Sequence, residues 1–247
     1  MTISFRRNSI DLLKENLKGM RNMDVFGELF ELKIAGLSIS GDIVIQWVVM
    51  GILILIAMIF TRNFSVENPS KIQIVLELIY EKVNNLVEEN MDKSYSSYIP
   101  FVGTLAIYLG VLNILGIFGF APPTRNLSVV TGFTIITFVL VHGNAIKRNG
   151  LKSYFKSYGR PFVAMLPITI MEKIVFPLSL ALRLFGNVLA ATIVMELVYT
   201  GLSKINWFAQ LVIPIAPHGF FDLFDGTIQT IIFVMLTIIT IKLQAEE

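Results

Sequence analysis

Three stretches of the chain run for roughly twenty residues without a charged side chain: residues 43–61, 101–120 and 127–146. A helix needs about 20 mostly apolar residues to cross the hydrocarbon core of a bilayer. Because backbone polar groups in lipid must be hydrogen-bonded within the protein, each stretch is predicted to be a transmembrane α-helix. The predicted fold class is therefore an all-α polytopic membrane protein.

The composition agrees with a membrane environment and excludes several classes of function. Charged residues make up only 15% of the 247 residues, against about 25% in an ordinary soluble domain. The formal net charge of +2 is too small to indicate nucleic-acid binding. The sequence has no cysteine and only two histidines, so we expect no disulfide, no metal site and no cofactor. It has no Gly-rich phosphate loop and is not expected to be an enzyme by itself.

The last third of the chain is apolar but carries ionisable residues. We expect two further crossings, at about residues 163–200 and 207–242, which form a long tilted helical hairpin and bring the total to about five. Pro167 and Pro177 are expected to bend or break the first of these helices, because proline lacks a backbone N–H.

Two segments outside the spans have amphipathic patterns. Apolar residues recur at helical spacing among acidic ones in residues 68–98, which is typical of a helix lying at the membrane interface. Residues 1–42 are predicted to be an extracytoplasmic N-terminal segment that begins with a short amphipathic helix, and residues 43–247 a single membrane domain.

Basic residues in short loops predict the orientation of the chain. Five of them follow the third span: Lys147, Arg148, Lys152, Lys156 and Arg160. Cytoplasmic loops carry an excess of Lys and Arg, so this loop is expected to be cytoplasmic. Counting crossings from it places the N-terminus outside and the C-terminus in the cytoplasm.

Arg183 is the most unusual charge in the sequence. Nine residues without charge precede it and twelve follow it, so its guanidinium cannot easily reach a membrane surface. A charge at bilayer depth costs at least about 2.5–3.5 kcal/mol and is retained only where it faces protein or water. One interpretation is a structural arginine paired with a carboxylate across the bundle; the other is a functional site.

Polar residues on the hairpin form two groups. On the last helix a spacing of i, i+4, i+7 and i+11 predicts one polar face, made of His218, Asp222, Asp225 and Gln229. On the helix before it, Asn187 falls near the face of Arg183 and the opposite face carries Thr192 and Glu196.

An antiparallel hairpin would place these residues at different depths in the membrane. Arg183 and Gln229 would come near mid-membrane, and Glu172 would lie toward the cytoplasm. The outer half would contain Thr192, Glu196, Asp222 and Asp225. Ordinary hydrogen bonding between helices is the alternative explanation.

A fixed guanidinium between two polar half-paths prevents cations from passing straight through, since arginine stays protonated in proteins. Such a chain can pass ions to a carrier instead. A carboxylate on another subunit suits this role, because it is neutral when loaded and negative when it stands beside the arginine.

Three motifs resemble one known family, the a subunit of F-type ATP synthases. Residues 180–190 read LALRLFGNVLA and are similar to the family's signature around its essential arginine. Residues 226–235, GTIQTIIFVM, resemble its last helix, and Pro122-Pro123-Thr124 followed by Leu127 resembles the loop before its third span. The resemblance covers roughly residue 40 to the C-terminus.

The resemblance implies roles for individual residues. Arg183 matches the arginine that separates two half-channels, Asn187 the polar residue beside it, and Gln229 the last-helix glutamine near it. Where the family often has a glutamate nine residues after the arginine, this chain has Thr192, which cannot hold a charge. The missing carboxylate is expected at Asp222, with Glu196 as the alternative.

The resemblance also implies partners. The family's a subunit stands beside a ring of c subunits and carries H⁺ or Na⁺ to and from the ring carboxylates; b-type peripheral stalk subunits and the lipid bilayer are the other expected partners. The membrane would be that of a bacterial-type cell or an energy-transducing organelle. Two rival hypotheses are a secondary ion-coupled transporter, which predicts internal repeats, and a non-transporting assembly subunit, which would not need Arg183.

Overall fold

The computed structural model describes residues 32–34, 37–62, 64–158, 162, 164, 166–203, 210 and 212–246. In this part of the chain, five helices are long and apolar enough to cross a membrane. The prediction of an all-α polytopic fold with about five crossings is confirmed. The amphipathic helix predicted in the first 22 residues lies outside the described residues.

A short β-hairpin precedes the first span and was not expected from the sequence. Strands β1 (Leu32–Ile34) and β2 (Leu37–Ile39) pair antiparallel, with Leu32 opposite Ile39. Helix α1 (Gly41–Thr61) follows directly, and the Ser40 side chain caps it by accepting from the Asp42 N–H. Most of its apolar side chains are exposed, as is typical of a peripheral helix that faces lipid.

Helix α2 (Lys71–Met91) is the amphipathic helix predicted at the membrane interface. Ser70 caps it by accepting from the Gln73 N–H. Val87 and Met91 are fully buried, whereas Glu77 and Glu81 are exposed. Its length would suffice for a crossing, but its composition does not, and it is not one of the five candidate spans.

The next two spans enclose a compact loop. Helix α3 (Ile99–Ile114) follows a 3₁₀ turn at Lys93–Tyr98 and continues into another at Leu115–Phe118. A third 3₁₀ turn, Pro123–Arg125, leads to helix α4 (Leu127–Asn149), which Asn126 caps. Gly150, at φ +76°, then turns the chain into the short helix α5 (Leu151–Ser157). Glycine occupies this left-handed conformation without the steric cost of a Cβ atom.

The last two spans form the hairpin. Helix α6 (Leu166–Ser203) is continuous for 38 residues with Pro177 inside it, so of the expected bend or break at Pro177 the break does not occur. Packing against the bundle holds the helix together across the one backbone hydrogen bond that Pro177 cannot donate. The final span runs from Ile215 to Glu246 and consists of helix α7 (Ile215–His218), a π-helical segment (Gly219–Asp225) and helix α8 (Gly226–Glu246). The start predicted at residue 207 lies outside the described residues.

The core lies where α3, α4, α6 and α8 meet. Its fully buried side chains are large and aliphatic or aromatic, among them Leu109, Leu112, Val130, Leu184, Phe233 and Ile238. One end of the bundle is tied by Arg125, whose Nη2 lies 3.5 Å from Asp42 Oδ1. At the other end Lys242 Nζ lies 3.1 Å from Asp92 Oδ2.

Candidate functional site

A polar cavity of about 540 Å³ opens between α6, the final span and the loop after α3. Seven of the nine ion-path residues predicted from the sequence line it: Asn187, Thr192, Glu196, His218, Asp222, Asp225 and Gln229. Arg125 and residues 119–122 form its other wall. We call it the first cavity.

A chain of three hydrogen-bonding side chains crosses the first cavity. The Tyr199 Oη lies 3.0 Å from His218 Nε2, and His218 Nδ1 lies 2.5 Å from Asp222 Oδ2. Tyr199 projects from α6, whereas His218 and Asp222 come from the final span, so the chain joins the two arms of the hairpin. Asp222 is buried and His218 is half-buried.

The π-helical segment changes the geometry expected for the polar stripe. The prediction assumed a regular α-helix from His218 to Gln229, but residues 219–225 are π-helical. A π-helix forms i→i+5 hydrogen bonds and inserts extra backbone into the turn. The four residues still line one cavity, and the buried Asp222 packs against Gly116, where a Cβ atom would lie 2.5 Å from the carboxylate.

Amide side chains close the deep end of the first cavity. Asn187 Nδ2 donates to Gln229 Oε1 at 2.9 Å. Asn113 Nδ2 donates to Thr230 Oγ1 at 3.0 Å, and Asn113 Oδ1 accepts from Thr124. The Gln229 Nε2 is buried and has no hydrogen-bond partner within the described residues. A buried amide donor of this kind favours a polar group or water beside it.

Two carboxylates in the first cavity are unpaired. Glu196 and Asp225 form no hydrogen bond or ion pair with any residue that the structure describes. Thr192, which stands where a carboxylate was expected, donates its hydroxyl proton to the carbonyl of Val188 at 2.8 Å in its own helix. The acidic groups therefore come from Asp222, Glu196 and Asp225.

Arg183 is not among the residues that line this cavity. It is exposed on the outer face of α6, together with Leu182, Gly186 and Ala190. Its guanidinium makes no hydrogen bond or ion pair with a described residue, so the alternative interpretation of a structural arginine paired with a carboxylate of this chain finds no support among these residues. Small side chains beside it leave room for an approaching surface.

A second cavity, of about 310 Å³, lies at the other end of the hairpin, between α4, α6 and α8. The predicted residue Glu172 lines it, as do Lys173, Gln244 and Glu246. Lys173 is buried, donates to Gln244 Oε1 and lies 4.6 Å from the centre of the Tyr158 ring. The buried Thr137 Oγ1, also in its lining, has no partner within the described residues.

The two cavities have no lining residue in common. On α6 the second cavity ends at Leu180 and the first begins at Asn187, a separation of about 10 Å along the helix axis. On α8 the corresponding gap, from Gln229 to Thr240, is about 16 Å. Buried apolar side chains fill the gap: Leu184, Phe233, Val234 and Ile238. In the sequence of α6, Arg183 falls between the two cavities.

Sequence reasoning missed several residues of the first cavity. Tyr199 follows Thr192 and Glu196 at i+7 and i+3, so helical spacing was a usable signal for it. Gly116, Asn113 and Arg125 come from a loop and helix far away in sequence, and no local pattern points to them.

Comparison with known proteins gives a consistent result. Residues 43–242 match the family described as ATP synthase A chain. ATP synthase subunit a 1 of Crocosphaera subtropica is 31% identical over 207 residues, which are 83% of this chain and 86% of that protein.

Two further relatives extend the likeness to other bacteria. ATP synthase subunit a of Legionella pneumophila is 33% identical over 221 residues, 88% of this chain and 93% of the relative. ATP synthase subunit a of Bacillus velezensis is 32% identical over 238 residues, which cover 89% of this chain and 94% of the relative. Matches of this extent, together with five candidate spans, show that the chain belongs to the ATP synthase A chain family.

Proposed function

We propose that this chain is the ion-channel stator subunit in the membrane sector of a rotary ATP synthase. In this proposal it provides two offset half-channels that deliver H⁺ or Na⁺ to the carboxylates of a c-subunit ring and take them away again. The observation that carries the proposal is a pair of cavities that share no lining residue and that each contain carboxylate side chains, with Arg183 between them along the sequence of α6.

The space between the cavities supports half-channels rather than a continuous pore. A cation that left the first cavity toward the second would have to cross a layer of fully or nearly fully buried apolar side chains, including Leu184 and Phe233. Transfer of an unpaired ion into such a layer is strongly unfavourable. Transport between the two cavities therefore needs a carrier outside this chain.

The exposure of Arg183 supports a carrier that is negatively charged. An unpaired guanidinium facing lipid in the middle of a span costs at least about 2.5–3.5 kcal/mol. A ring carboxylate docked on this face of α6 would offset that cost by pairing with the guanidinium. The pair forms only when the carboxylate has released its ion, so Arg183 favours discharge on one side and prevents direct leakage.

The polar groups in each cavity suit an ion path. Asp222, Glu196 and Asp225 supply carboxylates to the first cavity, with Thr192 and His218 beside them, and Asn187 and Gln229 lie at its deep end. Glu172 supplies a carboxylate to the second cavity. We assign the first cavity to the outer half-channel and the second to the cytoplasmic half-channel, in keeping with the orientation predicted from basic loop residues.

The driving force acts on each ion that passes. One elementary charge moving across the membrane potential gains about 2.3 kcal/mol per 100 mV. In the proposed mechanism this energy turns the ring, and the turning drives ATP synthesis in a separate soluble sector. Peripheral stalk subunits of the b type would hold this chain still, and the exposed acidic face of α2 is one available contact surface.

Removal of the central charge tests the proposal. We expect Arg183→Ala to abolish ATP-driven ion pumping in membrane vesicles. The ring carboxylate would lose its partner, and the barrier between the cavities would lose its positive charge. The measurement is ATP-dependent acidification or sodium uptake, with the amount of this chain in the membrane determined in parallel.

Arg62→Ala is the matched control, since Arg62 is an exposed arginine at the end of α1, away from both cavities. It is expected to pump at the normal rate. Unimpaired pumping by Arg183→Ala at a normal membrane content would overturn the proposal. Ion uptake that does not depend on ATP or on the ring would favour a secondary transporter instead.

A further inference from the structure

The position of Tyr199 has a consequence beyond the two half-channels. Its hydroxyl group lines the first cavity and lies within hydrogen-bond distance of His218 Nε2, and the other ring nitrogen of His218 contacts Asp222. Resting on the proposed function, we propose that Tyr199 is a proton-relay residue of the outer half-channel, whose hydroxyl group hands a proton to His218 and, through His218, to Asp222.

Hydrogen-bonding capacity assigns the protons in this chain. A neutral imidazole has one donor nitrogen and one acceptor nitrogen, and an ionised carboxylate only accepts. His218 Nδ1 must therefore carry the proton that faces Asp222 Oδ2, which leaves Nε2 as an acceptor. The Tyr199 O–H is the donor that meets it. The Asp222 carboxylate and the Tyr199 hydroxyl group therefore favour the same tautomer of His218.

The arrangement permits a balanced proton transfer. A proton that arrives from the cavity binds the Tyr199 Oη, while the original hydroxyl proton moves to His218 Nε2. The Nδ1 proton of His218 then passes to Asp222 Oδ2. The Tyr199 hydroxyl group and the His218 imidazole have each received one proton and released one, so the net change is the protonation of Asp222. The cargo at this step is H⁺, because no group in the relay can hand on a sodium ion.

Three other charged groups line the first cavity around His218. They are Glu196 on α6, Asp225 on the π-helical segment and Arg125 on the opposite loop. Arg125 lies 3.5 Å from Asp42, and Glu196 and Asp225 have no partner within the described residues. Along the final span, Asp222 precedes Gln229 by about 10 Å of helix, so the order from the end of the hairpin inward is Tyr199, His218, Asp222 and Gln229.

The test is a double-mutant cycle on ATP-driven proton pumping. We expect Tyr199→Phe, which removes only the hydroxyl group, to slow pumping about fivefold, the effect of one hydrogen bond of about 1 kcal/mol, and to shift the dependence of the rate on pH. His218→Ala should slow pumping further. Adding Tyr199→Phe to His218→Ala should then cost nothing more, because the tyrosine acts through the histidine.

Tyr108→Phe is the matched control. Tyr108 is also half-buried and donates to a backbone carbonyl, that of Gln46 at 3.0 Å, but it does not line the first cavity. It is expected to leave the rate and its pH dependence unchanged. Rates are divided by the amount of this chain in the membrane, and the pH dependence does not rely on that amount.

Two outcomes would overturn the inference. One is a Tyr199→Phe variant with a normal rate and a normal pH dependence; the other is an equal loss from Tyr199→Phe with and without His218. Either result, together with an inactive Arg183→Ala variant, would contradict the proton relay and leave the proposed stator function standing. An active Arg183→Ala variant would instead contradict the proposed stator function itself.

Discussion

The position of the Asp222 carboxylate depends on a small neighbouring residue, Gly116. The carboxylate packs directly on Gly116, and its Oδ2 contacts His218 Nδ1. The glycine is required here for close approach, because a methyl group would occupy the space of the carboxylate. A buried carboxylate in a membrane protein needs such a defined environment, since its desolvation must be offset by hydrogen bonds.

Gly116→Ala tests this contact. The new Cβ would lie 2.5 Å from three atoms of the Asp222 carboxyl group, so the carboxylate must move away from His218. Overpacking of this kind costs about 1–3 kcal/mol, and we expect ATP-driven pumping to fall by about tenfold or more. Gly110→Ala is the control, because its Cβ would meet Thr230 at an ordinary 3.7 Å. Equal pumping by the two variants would contradict the assignment of Asp222 to the ion path.

The π-helical segment is the element that connects α7 to α8 and carries Asp222 and Asp225. π-helical turns are uncommon and are frequently found at functional sites. Here the extra backbone sets the rotation of His218 relative to Gln229, and both side chains reach the first cavity. No propensity in the sequence marks this segment, in which Asp222 packs against Gly116 of the 3₁₀ turn after α3.

Deletion of Leu223 tests the role of the segment. Leu223 is exposed and lies inside the segment, and its removal would allow a continuous α-helix. The residues before it would then turn by about 100° relative to α8, which would carry His218 out of the first cavity. We expect the deletion to abolish pumping.

Leu223→Ala serves as the control for the deletion, since it shortens an exposed side chain and retains the backbone. Its pumping should be close to normal. A deletion variant that is present in the membrane and pumps normally would mean that the rotation of His218 does not matter for transport.

The whole molecule is a bundle whose polar groups gather at two ends of one hairpin. The first cavity lies at the end with the Arg125–Asp42 contact, and the second at the end with the Lys242–Asp92 ion pair. This distribution requires the two ends to face opposite sides of the membrane. The predicted orientation assigns the Lys242 end to the cytoplasm.

Cysteine labelling tests the orientation, because the chain has no cysteine of its own. Val66→Cys and Lys152→Cys are both exposed and should react with a membrane-impermeant maleimide only in inside-out vesicles. Ser203→Cys, at the exposed end of α6, should react only in right-side-out vesicles. The reverse pattern would show that the basic-residue rule assigned the wrong side and would exchange the two half-channels.

Local sequence patterns predicted the number of crossings, the amphipathic helix α2 and most of the polar residues that line the first cavity. Hydrophobic length and helical spacing are local properties, and they suffice to identify a span and the face that a polar residue occupies. The tertiary structure adds features that no local pattern encodes. It exposed Arg183 and left it without a partner in the described chain, kept α6 continuous through Pro177, and introduced the π-helical turn. It also separated the polar residues into two cavities, because that division depends on which apolar side chains of α6 and α8 meet between them.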